Sequence, residues 1–299
     1  MALRDYLVGE VTQDFADGLL NRREALRRLG MLGVGLSGAT ALLAACGDGD
    51  GGGTAAQSTT GTTQATSPST TGSGAAGEAV RFAGPRGELQ GAWAAAAQPR
   101  GAVLVIHENR GLTPHFFDLV GRLARDGYSA LCVDLLSEEG GTGSLSDPAA
   151  APTALANAPA ERLVADLRAG IDELQRRASG AKVGTVGFCF GGGMVWNLLN
   201  SGEQRLAAAA PFYGPAPENP DFSQAKAAVL AVYAELDARV NASRERAEAA
   251  LQAAGLTHEV RTFAGADHAF FNDTGQRYHE QAAREAYAAL LDWFGRHLA

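Results

Sequence analysis

An apolar run, Val183 to Phe188, leads directly into Gly187-Phe188-Cys189-Phe190-Gly191 and then into a helical stretch, Gly192 to Asn200. A strand that must become a helix within about one residue forces its turning residue, Cys189, onto a strained backbone. Glycines two positions away on either side remove the side chains that would collide there. The next pair, Gly192-Gly193, lets the helix pack tightly on the sheet. Such a turn sets the Cys189 sulfur at a helix N-terminus, whose partial positive charge favours thiolate. Taken alone, the pentad fits a buried structural cysteine equally well.

The surrounding chain repeats the strand-then-helix alternation. Leu89–Ala95, Ala102–His107, Ser129–Val133, Val183–Phe188, Leu206–Tyr213, Val229–Tyr233 and His258–Phe263 read as strands. Phe116–Arg125, Ala160–Arg177, Ala242–Ala254 and Gln276–His297 read as helices, the second with Leu163, Leu167, Ile171 and Leu174 on one face. Unbroken apolar strands between amphipathic helices predict a mostly parallel sheet with helices on both faces. Gly140–Pro152 reads as a loop over the C-terminal edge of that sheet, where such proteins place their sites. Asp237 follows the strand ending near Tyr233, and His268 follows the strand ending at Phe263. All three groups therefore converge on one sheet edge: a thiol, a histidine to take its proton, and an acid to orient the imidazole. Their chain order resembles that of the α/β-hydrolases.

The matching residues go further. His107-Glu108-Asn109-Arg110-Gly111, Asp134-Leu135, Gly187-Phe188-Cys189-Phe190-Gly191-Gly192, Asp237 and Asp267-His268-Ala269-Phe270 together resemble the dienelactone hydrolase family, from about residue 80 to the C-terminus. The resemblance implies an α/β-hydrolase fold and a Cys189-Asp237-His268 triad acting on a small ester or lactone through a thioester, without a cofactor. It implies that Glu108 pairs with the resting thiol, and that the backbone N–H groups of Asn109 and Phe190 hold the oxyanion. It also exposes a departure. Two arginines that bind a substrate carboxylate in well-known members are replaced by Glu138 and Asn272, and Arg110 and Arg239 are the substitutes at hand. A neutral substrate is therefore expected.

Residues 1–45 read as an address. Asn21-Arg22-Arg23-Glu24-Ala25-Leu26-Arg27 resembles a twin-arginine export signal with Ala25 in place of the usual Phe, and an uncharged run, Leu29 to Ala45, follows. Leu43-Ala44-Ala45-Cys46 resembles a lipobox, which implies cleavage before Cys46 and lipid on its sulfur. Residues 46–78 are dominated by Gly, Ser, Thr and Ala without large apolar side chains until the globular pattern begins near residue 79. They read as a flexible tether of roughly 30 Å root-mean-square span. The domain, residues 79–299, is then expected outside the cytoplasmic membrane, held to its outer face by lipid.

Composition removes other classes. A net charge of -8 lacks the basic surface that nucleic acid requires, so no nucleic-acid partner is expected. Three cysteines, Cys46, Cys132 and Cys189, are too few for a disulfide framework. Cys132, His107 and Trp196 read as core, His115 as a candidate for the pocket mouth, and no cluster has metal-ligand spacing. Two alternatives stand beside the hydrolase. One is a non-catalytic envelope binding lipoprotein that retains the fold. The other is a thiol redox protein, against which the lack of a resolving cysteine near Cys189 weighs.

Overall fold

The computed structural model describes residues 3–45 and 76–299. Cys46 and the Gly/Ser/Thr stretch that follows lie outside the described residues. The described residues form two compact units, residues 3–7 with 76–299 and residues 8–45. Its N-terminal part contains three helices, α1 (Leu3–Ala16), α2 (Arg22–Met31) and α3 (Leu36–Ala45). Asn21 caps α2 by accepting the Glu24 N–H at 3.0 Å, so Arg22-Arg23 opens a helix. The uncharged run from Leu29 is not one segment: Gly33, at φ +75°, ends α2 before α3 begins. Among the described residues no helix is long and apolar enough to cross a membrane.

The larger unit holds one eight-stranded sheet. Its elements are β1 (Glu78–Gly84), β2 (Gly87–Ala94), β3 (Gly101–Ile106), α4 (Pro114–Arg125), β4 (Tyr128–Val133), α5 (Ala151–Asn157), α6 (Ala160–Arg177), β5 (Val183–Phe188), α7 (Phe190–Asn200), β6 (Leu206–Phe212), β7 (Ala228–Ala234), α8 (Ala238–Asn241), α9 (Arg244–Ala253), β8 (His258–Phe263) and α10 (Glu280–His297). Strand order is β1-β2-β4-β3-β5-β6-β7-β8. β1 and β2 form an antiparallel hairpin at one edge, β2 runs antiparallel to β4, and every later pairing is parallel. Every residue of β3, β4, β5 and β7 is buried, as helices on both faces require.

The differences from the sequence-based expectation have local causes. β1 escapes it because it is an edge strand with only Phe82 buried, so little hydrophobic signal marks it. The segment after β4 is a loop of short 3₁₀ turns, and α5 already begins at Ala151. α10 starts at Glu280 rather than near Gln276. Asn272 first closes a turn by accepting the Thr274 N–H, and His279 then caps the helix through the Ala282 N–H. In α6, Leu163, Leu167, Ile171 and Leu174 are buried together. A Cβ on Gly170 of that helix would meet Val133 at 2.6 Å, so the missing side chain is what lets α6 lie close on the sheet.

Candidate active site

Six consecutive parallel strands deliver their following residues to one edge of the sheet. Glu108 comes after β3, Asp134 after β4, Cys189 after β5, Tyr213 after β6, Asp237 after β7 and His268 after β8. Among the described residues, three other than glycine have positive φ: Cys189 at 56°, Tyr213 at 36° and Ala269 at 62°. All three belong to this edge. Strain of this kind persists only where the surroundings enforce it, and it concentrates at functional sites.

At Cys189 the enforcement is visible atom by atom. The residue is only 3% exposed and its N–H donates to the Phe212 carbonyl at 3.0 Å. A Cβ on Gly187 would sit 2.2 Å from the Gly191 oxygen, and one on Gly191 would sit 2.3 Å from the Ile106 oxygen. Neither gap admits a side chain, so both glycines of the pentad are sterically required. Gly192 is required as well, since its Cβ would lie 2.5 Å from the Phe212 oxygen, whereas a Cβ on Gly193 would meet only ordinary contacts at 3.6 Å.

The His268 imidazole meets Asp237. Nδ1 donates to Asp237 Oδ2 at 2.5 Å, and both side chains are buried. Burial pushes the Asp237 carboxyl up. The His268 charge and hydrogen bond outweigh it, helped by Arg239 and the Val240 N–H, and leave the carboxyl below its ordinary 3.8. Asp267 is engaged elsewhere: it accepts the His268 backbone N–H at 2.6 Å and pairs with Arg277 at 3.4 Å. A His268 ring nitrogen and the Cys189 sulfur lie within 4.8 Å of each other. With Nδ1 committed to Asp237, Nε2 is the ring atom suited to proton exchange with the thiol. Phe190 opens α7, where the first N–H groups have no partner inside the helix, and Asn109 sits in the turn after β3.

Glu108 is buried, and burial is the main reason its carboxyl is raised above 4.5. Asn272 opposes the rise by donating Nδ2 to Glu108 Oε2 at 2.8 Å. Asn272 thus holds an acid of the candidate site. Because folded Glu108 keeps its proton above the pH at which the unfolded chain loses one, stability falls as pH rises from about 4.5 through the raised value. Glu108→Gln, a neutral isostere, is expected to flatten that part of the melting-temperature profile. Parallel pH profiles in wild type and variant would contradict it.

Other motif residues build the scaffold. His107 is buried and held neutral chiefly by burial. Its Nδ1–H donates to the Glu108 carbonyl at 2.7 Å and its Nε2 accepts the Leu135 N–H at 3.0 Å, joining the loops after β3 and β4. Asp134 accepts from the Leu136 N–H, the Thr142 N–H and the Thr142 hydroxyl. That hydroxyl in turn accepts the Leu112 N–H at 2.8 Å. Gly111, at φ +82°, has Thr142 Oγ1 2.1 Å from where its Cβ would be. Cys132 is buried in β4 with its thiol pushed well up by burial, and Trp196 donates to the Gly214 carbonyl. His115 is buried, with Nδ1 2.9 Å from Asp273 Oδ1, and its charge reaches Glu108.

Glu138, a candidate for meeting substrate, has ion-pair partners within the protein. It pairs with Arg86 and lies 3.4 Å from Arg162, in a network with Glu139 and Asp166. Two guanidinium groups, Arg86 and Arg162, are shared among these three carboxylates. Arg110 is exposed beside Glu108, and Arg239 stands on α8 next to Asp237. Tyr213 carries no motif and escapes a reading by sequence. Its ring meets the His268 imidazole edge-on at 5.3 Å, and burial, then the charges of Glu108 and Cys189, push its phenol up. The available signal was positional: Tyr213 directly follows a parallel strand and precedes a glycine packed against Gly192.

A mostly parallel eight-stranded sheet whose strand-to-helix turn carries a strained nucleophile-type residue, with acid and histidine following in order, defines an α/β-hydrolase. Within that class the chain belongs to the dienelactone hydrolase family, whose family model matches residues 89–298. It is 30% identical over 208 residues to a Salmonella typhi protein named "Putative carboxymethylenebutenolidase", covering 65% of this chain and 77% of that one. An Escherichia coli K12 protein of the same name is 28% identical over 209 residues, covering 66% of this chain and 77% of that one. The Klebsiella pneumoniae "Putative Dienelactone Hydrolase" superposes with a TM-score of 0.64 at 27% identity, covering 74% of this chain and 99% of that one. Dienelactone hydrolase from Anabaena variabilis shares the fold at a TM-score of 0.59 and 20% identity, covering 75% of this chain and 98% of that one. The chain is accordingly a hydrolase of the ester- and lactone-cleaving kind.

Proposed function

We propose that Cys189, Asp237 and His268 act as a triad that hydrolyses small esters or lactones through a thioester. The observation that carries this is the 2.5 Å His268–Asp237 hydrogen bond placed within reach of a thiol on a strained strand-to-helix turn. His268 takes the Cys189 proton as the sulfur attacks the carbonyl carbon. The Asn109 and Phe190 N–H groups stabilise the oxyanion, which matters most in a site that excludes water. The C–O bond to the alcohol breaks, and His268 returns the proton to the leaving oxygen. Water then adds to the thioester while His268 takes its proton, the C–S bond breaks, the sulfur is reprotonated and the acid leaves. Glu108, raised by burial and beside the site, is the group proposed to pair with the resting thiol. No step requires a cofactor. The test joins two readouts: an acyl adduct on Cys189 when an activated ester is quenched during turnover, and loss of turnover on Cys189→Ala.

We also propose that the chain is exported and lipid-anchored through Cys46, as the Leu43-Ala44-Ala45-Cys46 stretch suggests. Cys46→Ala is expected to abolish labelling by a fatty-acid analogue, and Arg22-Arg23→Lys-Lys to block export. A wild-type chain recovered unlipidated from the cytoplasm would end the anchoring proposal.

A further inference from the structure

The unit that contains the sheet also contains residues 3–7. Tyr6 is 2% exposed and Leu7 0%. The Tyr6 hydroxyl lies 3.2 Å from the Cys189 sulfur, 183 residues away in sequence. The Arg239 guanidinium lies 4.6 Å from the centre of the Tyr6 ring, a cation–π distance. Arg239 follows Asp237 closely on α8, so both ends of the phenol are gripped by the site: the hydroxyl by the thiol and the ring by a neighbour of the orienting acid.

We propose that Tyr6 is a tethered ligand of this site, so that the full-length chain is latent until its N-terminal segment is displaced or detached. A substrate carbonyl has to approach the Cys189 sulfur, and in this arrangement a phenol hydroxyl is already within hydrogen-bonding distance of it. An occupant on the same chain competes at high effective concentration. It lowers apparent substrate affinity by the fraction of chains left open. The kind of group that fits is equally defined: a phenol-like ring under Arg239 with a polar atom at the thiol. Cleavage before Cys46, as the lipobox-like stretch implies, removes residue 6 with the rest of the leader. Maturation then unmasks the thiol.

The proposal rests on the reading of Cys189 as nucleophile, and the experiment separates the two. Using the full-length chain, the rate of iodoacetamide alkylation at Cys189 is followed by peptide mass spectrometry, and kcat/KM is measured with p-nitrophenyl acetate. Tyr6→Ala is expected to raise both by about tenfold. A second variant with residues 2–7 replaced by Gly and Ser should do the same, which guards against an effect peculiar to one substitution. Rates unchanged in both variants overturn the tether. Cys189→Ala is then added to Tyr6→Ala: if the released hydrolysis persists, the nucleophile assignment fails, and if it vanishes, the tethered-ligand account and the nucleophile stand together.

Discussion

Alanine at position 189 is expected to lower kcat/KM for an activated ester by on the order of a millionfold relative to wild type of the same length. In the proposed mechanism the thiol forms the acyl bond, and members of such a triad act as a unit. The fold should survive. Cys189 already sits at φ 56° because Gly187, Gly191 and Gly192 leave no other path, and alanine keeps the Cβ while removing one sulfur. Circular dichroism and melting temperature should therefore stay near wild type. Iodoacetamide should modify Cys189 well before Cys132, whose thiol is pushed well up by burial and does not ionise readily. Hydrolysis retained by the alanine variant would remove Cys189 from the mechanism.

Asp237→Asn is expected to lower kcat by about ten-thousandfold with little change in KM. The carboxylate accepts a hydrogen bond from the His268 Nδ1–H, which in the proposed mechanism leaves Nε2 to take the proton of the thiol. An asparagine amide can donate to Nδ1 instead, which selects the opposite tautomer and removes the base. The substitution keeps an oxygen for the Val240 N–H, accepted by Asp237 at 3.1 Å, so α8 retains its cap. Stability should move in a defined direction. A carboxyl held below 3.8 stabilises the fold above that pH, and the contribution disappears as pH falls through the folded value. The variant should melt lower than wild type at neutral pH, with the gap closing in acid. Asp267→Asn is the control and should leave kcat within a few-fold, because that side chain serves its own loop and Arg277. Equal losses in the two variants would mean that the orienting acid has been misassigned.

Much of the architecture was legible because it is written in local patterns. Ala102 to Ile106 and Val183 to Phe188 are unbroken apolar runs, and only a strand with both faces covered buries every member. The Gly-Phe-Cys-Phe-Gly pentad is likewise local, since its glycines answer collisions within a turn and with the adjacent strand end. That Asp237 and His268 meet at one edge could be expected from order alone, because parallel strands send successive loops to the same edge. β1 was not legible, since an edge strand with one buried residue carries almost no hydrophobic signal.

The partners of the site were a different matter. Asn272 could be singled out only as a candidate for substrate binding, and its hydrogen bond to Glu108, 164 residues away, was not legible. Glu138 reads as a charge facing substrate, and its pairing with Arg86 and Arg162 was likewise not legible. Tyr213 and Tyr6 gave no motif at all, and both contact the groups proposed for chemistry. Sequence by itself determined the buried parallel strands, the strained turn and the chain order of Cys189, Asp237 and His268, because each follows from periodicity, from sterics within a few residues or from order along the chain. Which polar atom meets which was decided only by the tertiary structure. A hydrogen bond or ion pair depends on ångström-scale approach between segments far apart in the chain, and no local pattern encodes that distance.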